Sequence, residues 1–231
     1  MFTSVASEPR LPQIIAAPSQ GDELGDLRFR ALLSSDDWAS LPPAVRRRFS
    51  KRLSDGATSV YAGRVTHCEM TRAGRLLAEA LRFVGAPLPL SREIGLPSIV
   101  TVTEEGASGG QNWTRVFARA SGFPQIIHST KRFCGPTGLE EYLGCGIRMA
   151  LKLSVENGAL VFTSTRYTVS IGTISVTLPR WLSPGMTRVT HRETGPGEFL
   201  FTLELTHALF GALVCQKALY REVETCPAAS S

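Results

Sequence analysis

Between Ser98 and Glu222 the chain alternates apolar and polar residues in short runs, the two-residue period of strands with one buried face. The clearest run is Phe199 to Leu209. Phe199, Phe201, Leu203, Leu205, His207 and Leu209 share one side, and Thr202, Glu204 and Thr206 share the other. Comparable runs predict strands over Ile99–Thr103, Trp113–Phe117, Gln125–His128, Met149–Val155, Leu160–Ile171, Ile174–Leu178, Met186–His191 and Ala212–Glu222. Gly, Pro or Asn stand at most of the breaks. Thr58–Met70, rich in Val, Tyr and Thr, reads as a further strand.

One segment carries a clear helical period. In Arg72–Val84 the residues Leu77, Ala80, Leu81 and Val84 recur on one face, Thr71 suits the N-cap, and Gly85 with Pro87 ends the helix. This helix is expected to pack on the sheet. Short helices are predicted at Leu24–Leu33 and Leu41–Phe49, with Asp36-Asp37-Trp38 as a cap region between them. Pro42 and Pro43 fit only a first turn. The cluster Arg46, Arg47, Arg48, Lys51 and Arg52 would scatter around its helix, which reads as a solvated face. The expected organisation is an N-terminal arm over 1–37, partly disordered, a single β-rich domain over 38–223, and a disordered tail over 224–231.

Two hairpins set a register. Asn157-Gly158 favours a type I′ turn, placing Glu156 opposite Ala159, Val155 opposite Leu160, Leu153 opposite Phe162, Leu151 opposite Ser164 and Met149 opposite Arg166. That face is apolar near the turn and ends in an inward-facing arginine. Gly195-Pro196-Gly197 is expected to join Val189 and His191 to Phe199 and Phe201. About nine or ten strands in meander order with one good helix predict a mainly β (α+β) fold. The strands form an antiparallel meander closing into a strongly curved sheet or barrel. The helix covers or plugs its open side, and short helices precede it.

Composition narrows the class. Of 231 residues 43% are hydrophobic, enough for a sizeable core. The net charge of +5 rests almost wholly on arginine, and with 19% charged residues no nucleic-acid partner is expected. The five cysteines are widely spaced with no Cys-x-x-Cys pair, so neither a zinc site nor a disulfide framework is expected. The N-terminus lacks a basic region followed by an apolar one. No run approaches the ~18 apolar residues of a transmembrane segment. A soluble, cytoplasmic protein is the expectation.

Candidate chemistry is sparse. Gly106-Ala-Ser-Gly-Gly110 lacks the spacing of a phosphate loop, and the histidines lie far apart, so no metal and no cofactor are expected. Trp113, Arg115 and Phe117 share one strand face. Arg115 either stacks on the tryptophan or reaches into a pocket to hold an anion. Glu140-Glu141-Tyr142 could supply a carboxylate, either as the partner of Arg115 or as an acid or base, with Arg115–Glu140 or Arg166–Glu140 as the pairs expected. His207, on its apolar face, is either a satisfied core residue or part of a pocket.

Several phrases, taken in order, carry a resemblance. They are Leu41-Pro-Pro-Ala-Val-Arg-Arg, Tyr61-Ala-Gly-Arg-Val65, Trp113-Thr-Arg-Val-Phe117, Thr165-Arg-Tyr-Thr, Leu178-Pro-Arg-Trp-Leu182, Gly197-Glu-Phe-Leu-Phe201 and His207-Ala-Leu-Phe-Gly211. Over roughly 38–223 the chain resembles the bacterial domain-of-unknown-function family 4166. Members of that family stand alone or are fused to NAD(P)-binding dehydrogenase-like or membrane domains. The resemblance implies the stand-alone form, since no dinucleotide fingerprint is present, and it carries no catalytic residues over. The leading expectation is a non-enzymatic module in which Trp113, Arg115, Glu140, Arg166 and His207 are candidates to hold a lipid-like or amphipathic small molecule inside the curved sheet. The alternatives are an enzyme pairing His207 with a carboxylate such as Glu140, or an accessory protein partner of a dehydrogenase-like or membrane protein.

Overall fold

A computed structural model of the chain describes residues 26–53, 57–85 and 88–223. Its strands are β1 (Thr58–Met70), β2 (Pro97–Glu105), β3 (Gly110–Phe117), β4 (Gln125–Arg132), β5 (Glu140–Gly144), β6 (Ile147–Glu156), β7 (Ala159–Ile171), β8 (Ile174–Thr177), β9 (Met186–Gly195), β10 (Glu198–His207) and β11 (Gly211–Glu222). All pairings are antiparallel. The order β6-β5-β4-β3-β2-β1-β11-β10-β9-β7 is closed by a β6–β7 ladder, so ten strands form a barrel and β8 is an extra strand. Closure leaves these ten strands without a free edge, which a long hydrophobic sheet otherwise has to protect.

The seam at β7 is irregular. Its lower half, Leu160–Thr163, pairs with β9, whereas its upper half, Thr168–Ile171, leaves β9 and pairs with β8. Side chains bridge the splay. Ser164 Oγ accepts the Thr187 N–H at 2.8 Å, and the Tyr167 and Thr187 hydroxyls bond at 2.7 Å.

Chain direction gives the barrel a floor, where β1 begins, and a mouth, where β1 ends. At the floor sit a 3-10 turn (Arg30–Leu32), α1 (Ser35–Ser40) and α2 (Pro43–Ser50). Ser34 caps α1 by accepting the Asp37 N–H, and Pro43 opens α2 as predicted. Phe29, Trp38, Leu41, Val45 and Phe49 from this segment are buried against Leu151, Phe162 and Phe199 and plug the barrel. The predicted Leu24–Leu33 helix is reduced to the 3-10 turn over its described part, and Leu24 itself lies outside the described residues. Of the expected arm and tail, residues 1–25 and 224–231 likewise lie outside them.

At the mouth, α3 (Arg72–Leu81) runs into a second 3-10 turn (Arg82–Val84). Thr71 caps α3 through the Gly74 N–H, and Gly85 ends the turn at φ +111°. Ala78 and Leu81 pack inward with Met70, Leu88, Leu205 and Leu213. A Cβ built on Gly74 would lie 2.2 Å from the Leu213 carbonyl oxygen of β11, and one on Gly85 would lie 2.4 Å from that of Leu143 on β5. The helix therefore leaves the β1–β11 wall and crosses to β5, on the far side of the ring. It is a lid.

One strand escaped prediction. Glu140-Glu-Tyr-Leu-Gly144 is short, with two carboxylates and glycines on both sides, and its only hydrophobic signal lies in Tyr142 and Leu143. Gly74 gives a direct test of the lid. Gly74→Ala places a methyl against backbone that cannot yield, so stability is expected to fall by about 1–3 kcal/mol in urea unfolding.

Candidate functional site

The predicted hairpin forms as expected through its first half. Asn157 and Gly158 adopt φ +49° and +72°, and Val155, Leu153 and Leu151 face Leu160, Phe162 and Ser164. Beyond Ser164 a β-bulge inserts Thr165, so Ala150 faces Arg166 and Met149 faces Tyr167. One extra residue inverts the parity of the strand. The inward-facing arginine is thereby corrected: Arg166 is exposed on the outer wall, and Tyr167 is buried inside.

The same alternation decides between adjacent carboxylates. On β5, Glu140 faces Arg132 and Ala150 on the outer side, where it lies 3.8 Å from Arg148. Glu141 faces Lys131 and Met149 inside the barrel. The carboxylate partner of Arg115 is thus Glu141 rather than Glu140, at 3.5 Å from Nη2, and Lys131 Nζ lies 3.2 Å from its other oxygen. Arg115 Nη1 also donates to Ser129 Oγ at 3.2 Å. Trp113 is buried beside them. Its Nε1–H donates to Gln111, and Lys131 Nζ sits 4.6 Å from its ring centroid.

Two cations here share one buried carboxylate. Burial alone would raise the Glu141 pKa, but Lys131, Arg115 and a Ser129 hydrogen bond outweigh it and hold the group at about 2. Burial lowers the Lys131 pKa, and Glu141 opposes that shift. Nearer the floor a separate pair forms. Arg48 lies 3.7 Å from the Phe199 ring centroid and 3.0 Å from a Glu193 oxygen, so it is not part of the solvated face expected for its helix. His191 stands among Phe49, Trp113, Phe162, Phe199 and Phe201, and its Nδ1 has no hydrogen-bond partner among the described residues. Burial, and then the charges of Arg48, Lys131 and Arg115, push its pKa well below 6.5. It is a neutral imidazole at physiological pH.

Above this cluster lies a cavity of about 850 Å³, counting its open mouth. Its walls are apolar, with Met149, Val189, Phe201 and Leu203 among them. Leu81 of the lid and Pro184 border it, and Arg115, Ser129, Glu141, Tyr167 and Gln216 supply its polar patch. A smaller chamber, with room for about one water molecule, lies toward the floor between Arg48, Trp113 and His191, and Arg115 borders both.

His207 is elsewhere. It ends β10 at the mouth, where its Nδ1 accepts the Leu209 N–H at 3.1 Å and its ring packs 5.0 Å from Phe210. Glu140 lies at the floor end of β5, so the structure does not bring this pair together. Of the five candidates it brings together Trp113 and Arg115. The residues that sequence reasoning missed, Lys131, Tyr167 and His191, were partly visible in parity: Gln125, Ile127, Ser129 and Lys131 share one face of a single run.

These features define a class, a closed antiparallel barrel plugged at its floor, lidded at its mouth and hollow between. The chain belongs to the family described as Domain of unknown function (DUF4166), whose model matches residues 41–219, from just before α2 into β11. Neither a curated protein nor a solved structure matches it. Among the described residues no group of three or more His, Cys, Asp or Glu is placed to hold a metal ion, and no helix is long and apolar enough to cross a membrane.

The buried groups predict acid sensitivity. In the unfolded chain His191 takes up a proton near pH 6.5, while in the fold it does so only well below that. The unfolded state therefore binds more protons as pH falls through this window, and stability declines. Glu141 adds a second decline between 4.5 and about 2. Melting temperature is expected to drop below pH 6.5, and His191→Leu is expected to flatten the first part of that profile. Glu141→Gln strands two buried cations and is expected to cost about 3–5 kcal/mol at neutral pH.

Proposed function

We propose that this protein is a non-enzymatic carrier or sensor of an amphipathic small molecule with an anionic head. The apolar part of the ligand occupies the large cavity and its head meets Arg115. One observation carries this reading: Arg115 and Lys131 share the single carboxylate of Glu141 beside an otherwise apolar chamber. Buried charge is expensive unless it is matched, and an anionic head at Arg115 would match it. The chamber has the make-up usual for small-molecule pockets, mostly apolar walls with a few converging polar groups. Acid–base catalysis has less support. His191 has a neutral ring enclosed by aromatic side chains, and Glu141 stays ionised through its two cations.

Calorimetric titration with dodecanoate and with dodecanol tests the reading. Dodecanoate is expected to bind at least about tenfold more tightly, since a charged hydrogen bond contributes about 1.5–3 kcal/mol. Arg115→Met should abolish that preference while dodecanol still binds. Leu203→Trp, which fills the cavity, should weaken both. Absence of saturable binding by either probe, or a preference that survives Arg115→Met, would overturn the proposal.

A further inference from the structure

Among the described residues the exposed aromatic side chains do not scatter. Phe83 follows the lid helix and is 88% exposed, and Phe123 tips the β3–β4 loop at 92%. Ile174 opens β8, Trp181 and Leu182 lie in the β8–β9 loop, and Phe210 lies in the β10–β11 turn; all are exposed. In an antiparallel ring the lid, the β3–β4 loop, the start of β8 and the β10–β11 turn fall at the end where β1 finishes, which is the mouth. The β8–β9 loop climbs from Leu178, bonded to the Tyr167 carbonyl, back to the mouth, where Gly185 lies against Thr206. The floor connections, by contrast, carry Gly106–Gly109, Asn157-Gly158 and Pro196-Gly197.

The charges at this end have one prevailing sign. Arg72 and Arg75 on the lid helix, Arg92 before β2, Arg119 in the β3–β4 loop and Arg180 beside Trp181 are exposed, and none is in an ion pair among the described residues. The acidic residues near them are fewer. Glu79 pairs with Arg82, Glu69 lies against His67, and Glu93 accepts hydrogen bonds from Ser91 and the Ala120 N–H. Glu105, Glu156, Glu193, Glu198 and Glu222 lie toward the floor.

The geometry points to the mouth as a docking surface for an anionic lipid bilayer. Aromatic and aliphatic tips on separate loops, interleaved with free arginines, suit the acyl–headgroup boundary, where apolar side chains sink and cations meet lipid phosphates. The lid helix has the same character. Leu81 faces the cavity, while Leu76 and Phe83 point outward beside Arg72, Arg75 and Arg82. Farther from the mouth the wall carries polar outward residues such as Lys152, Thr165, Arg166 and Arg192, whereas the exposed Ile99 and Ile126 lie near the mouth-side starts of β2 and β4, so the end of the barrel enters the interface. Docking this way puts the mouth of the cavity on the membrane. The inference rests on the rim residues alone and does not require that the cavity bind a ligand.

Co-sedimentation with vesicles tests it, comparing phosphatidylcholine containing about one-third phosphatidylserine with phosphatidylcholine alone. Of the three tryptophans only Trp181 is exposed, so its emission reports contact directly. The wild-type chain is expected to sediment with the anionic vesicles. Its emission should shift to the blue and be quenched by brominated acyl chains, and added salt should weaken the association. Phe83→Ser with Phe123→Ser should lower vesicle affinity by about tenfold or more, and so should Arg119→Glu with Arg180→Glu. Both pairs are exposed, and both should leave dodecanoate titration unchanged, whereas Arg115→Met should leave vesicle binding unchanged. Equal partition to neutral and anionic vesicles, or no partition, would overturn the assignment. So would a self-association or a protein complex that Phe123→Ser dissolves while vesicle binding is absent.

Discussion

The interior of this barrel depends on Glu141. Barrel closure forces alternate residues of every strand inward, and on β3, β4 and β5 that rule brings in Arg115, Lys131 and Glu141 together. Two cations in an apolar enclosure would repel each other and lack solvation. The carboxylate between them, with Ser129 and the Trp113 ring, makes the arrangement tolerable. It also marks a boundary. Toward the floor, aromatic rings and the plug fill the barrel; toward the mouth, the walls stay apolar and the space is left open.

The neutral His191 belongs to the same balance. It lies among five aromatic rings just below the cationic cluster, and three positive charges bear on it. Protonation would add another charge to an interior already short of anions. A histidine rather than phenylalanine at that place keeps a polar atom in the wall of the small lower chamber, where Arg48 also has nitrogen atoms without partners among the described residues. The lower chamber is therefore polar at its edges, and the upper one is greasy with a charged base.

Much of the fold was legible because periodicity is local. The span of β1, the capped lid helix and the Asn157-Gly158 turn follow from residues within a few positions of one another. The candidate site was less legible, and two one-residue effects account for most of that. Thr165 is an inserted bulge with no signature in a run of Thr, Ser and Arg, and it exchanges Arg166 for Tyr167 at the cavity wall. The Glu140-Glu141 pair sits in a strand of five residues, too short for its own alternation to show which carboxylate turns inward. That choice is made by β4 and β6, a tertiary matter. Arg48 was hidden for a similar reason, since helical spacing cannot reveal that one arginine of a basic run lies over a phenylalanine on another strand.

The bulge also ties the site to the shape of the barrel. β7 pairs with β9 up to Thr163 and with β8 from Thr168, and the bulged residue lies between the two ladders. A bulge bends its strand and increases its twist, which is what leaving one neighbour for another requires. The same bend turns Tyr167 into the cavity, where its hydroxyl bonds Thr187 and holds the parted strands together. Above that bond β8 and its following loop replace β9 along the edge, carrying Ile174, Trp181 and Leu182 outward and Pro184 to the cavity border. One inserted residue thus builds the wall of the chamber and releases the segment that forms part of its rim. The interior site and the exposed crown are two consequences of how this barrel closes.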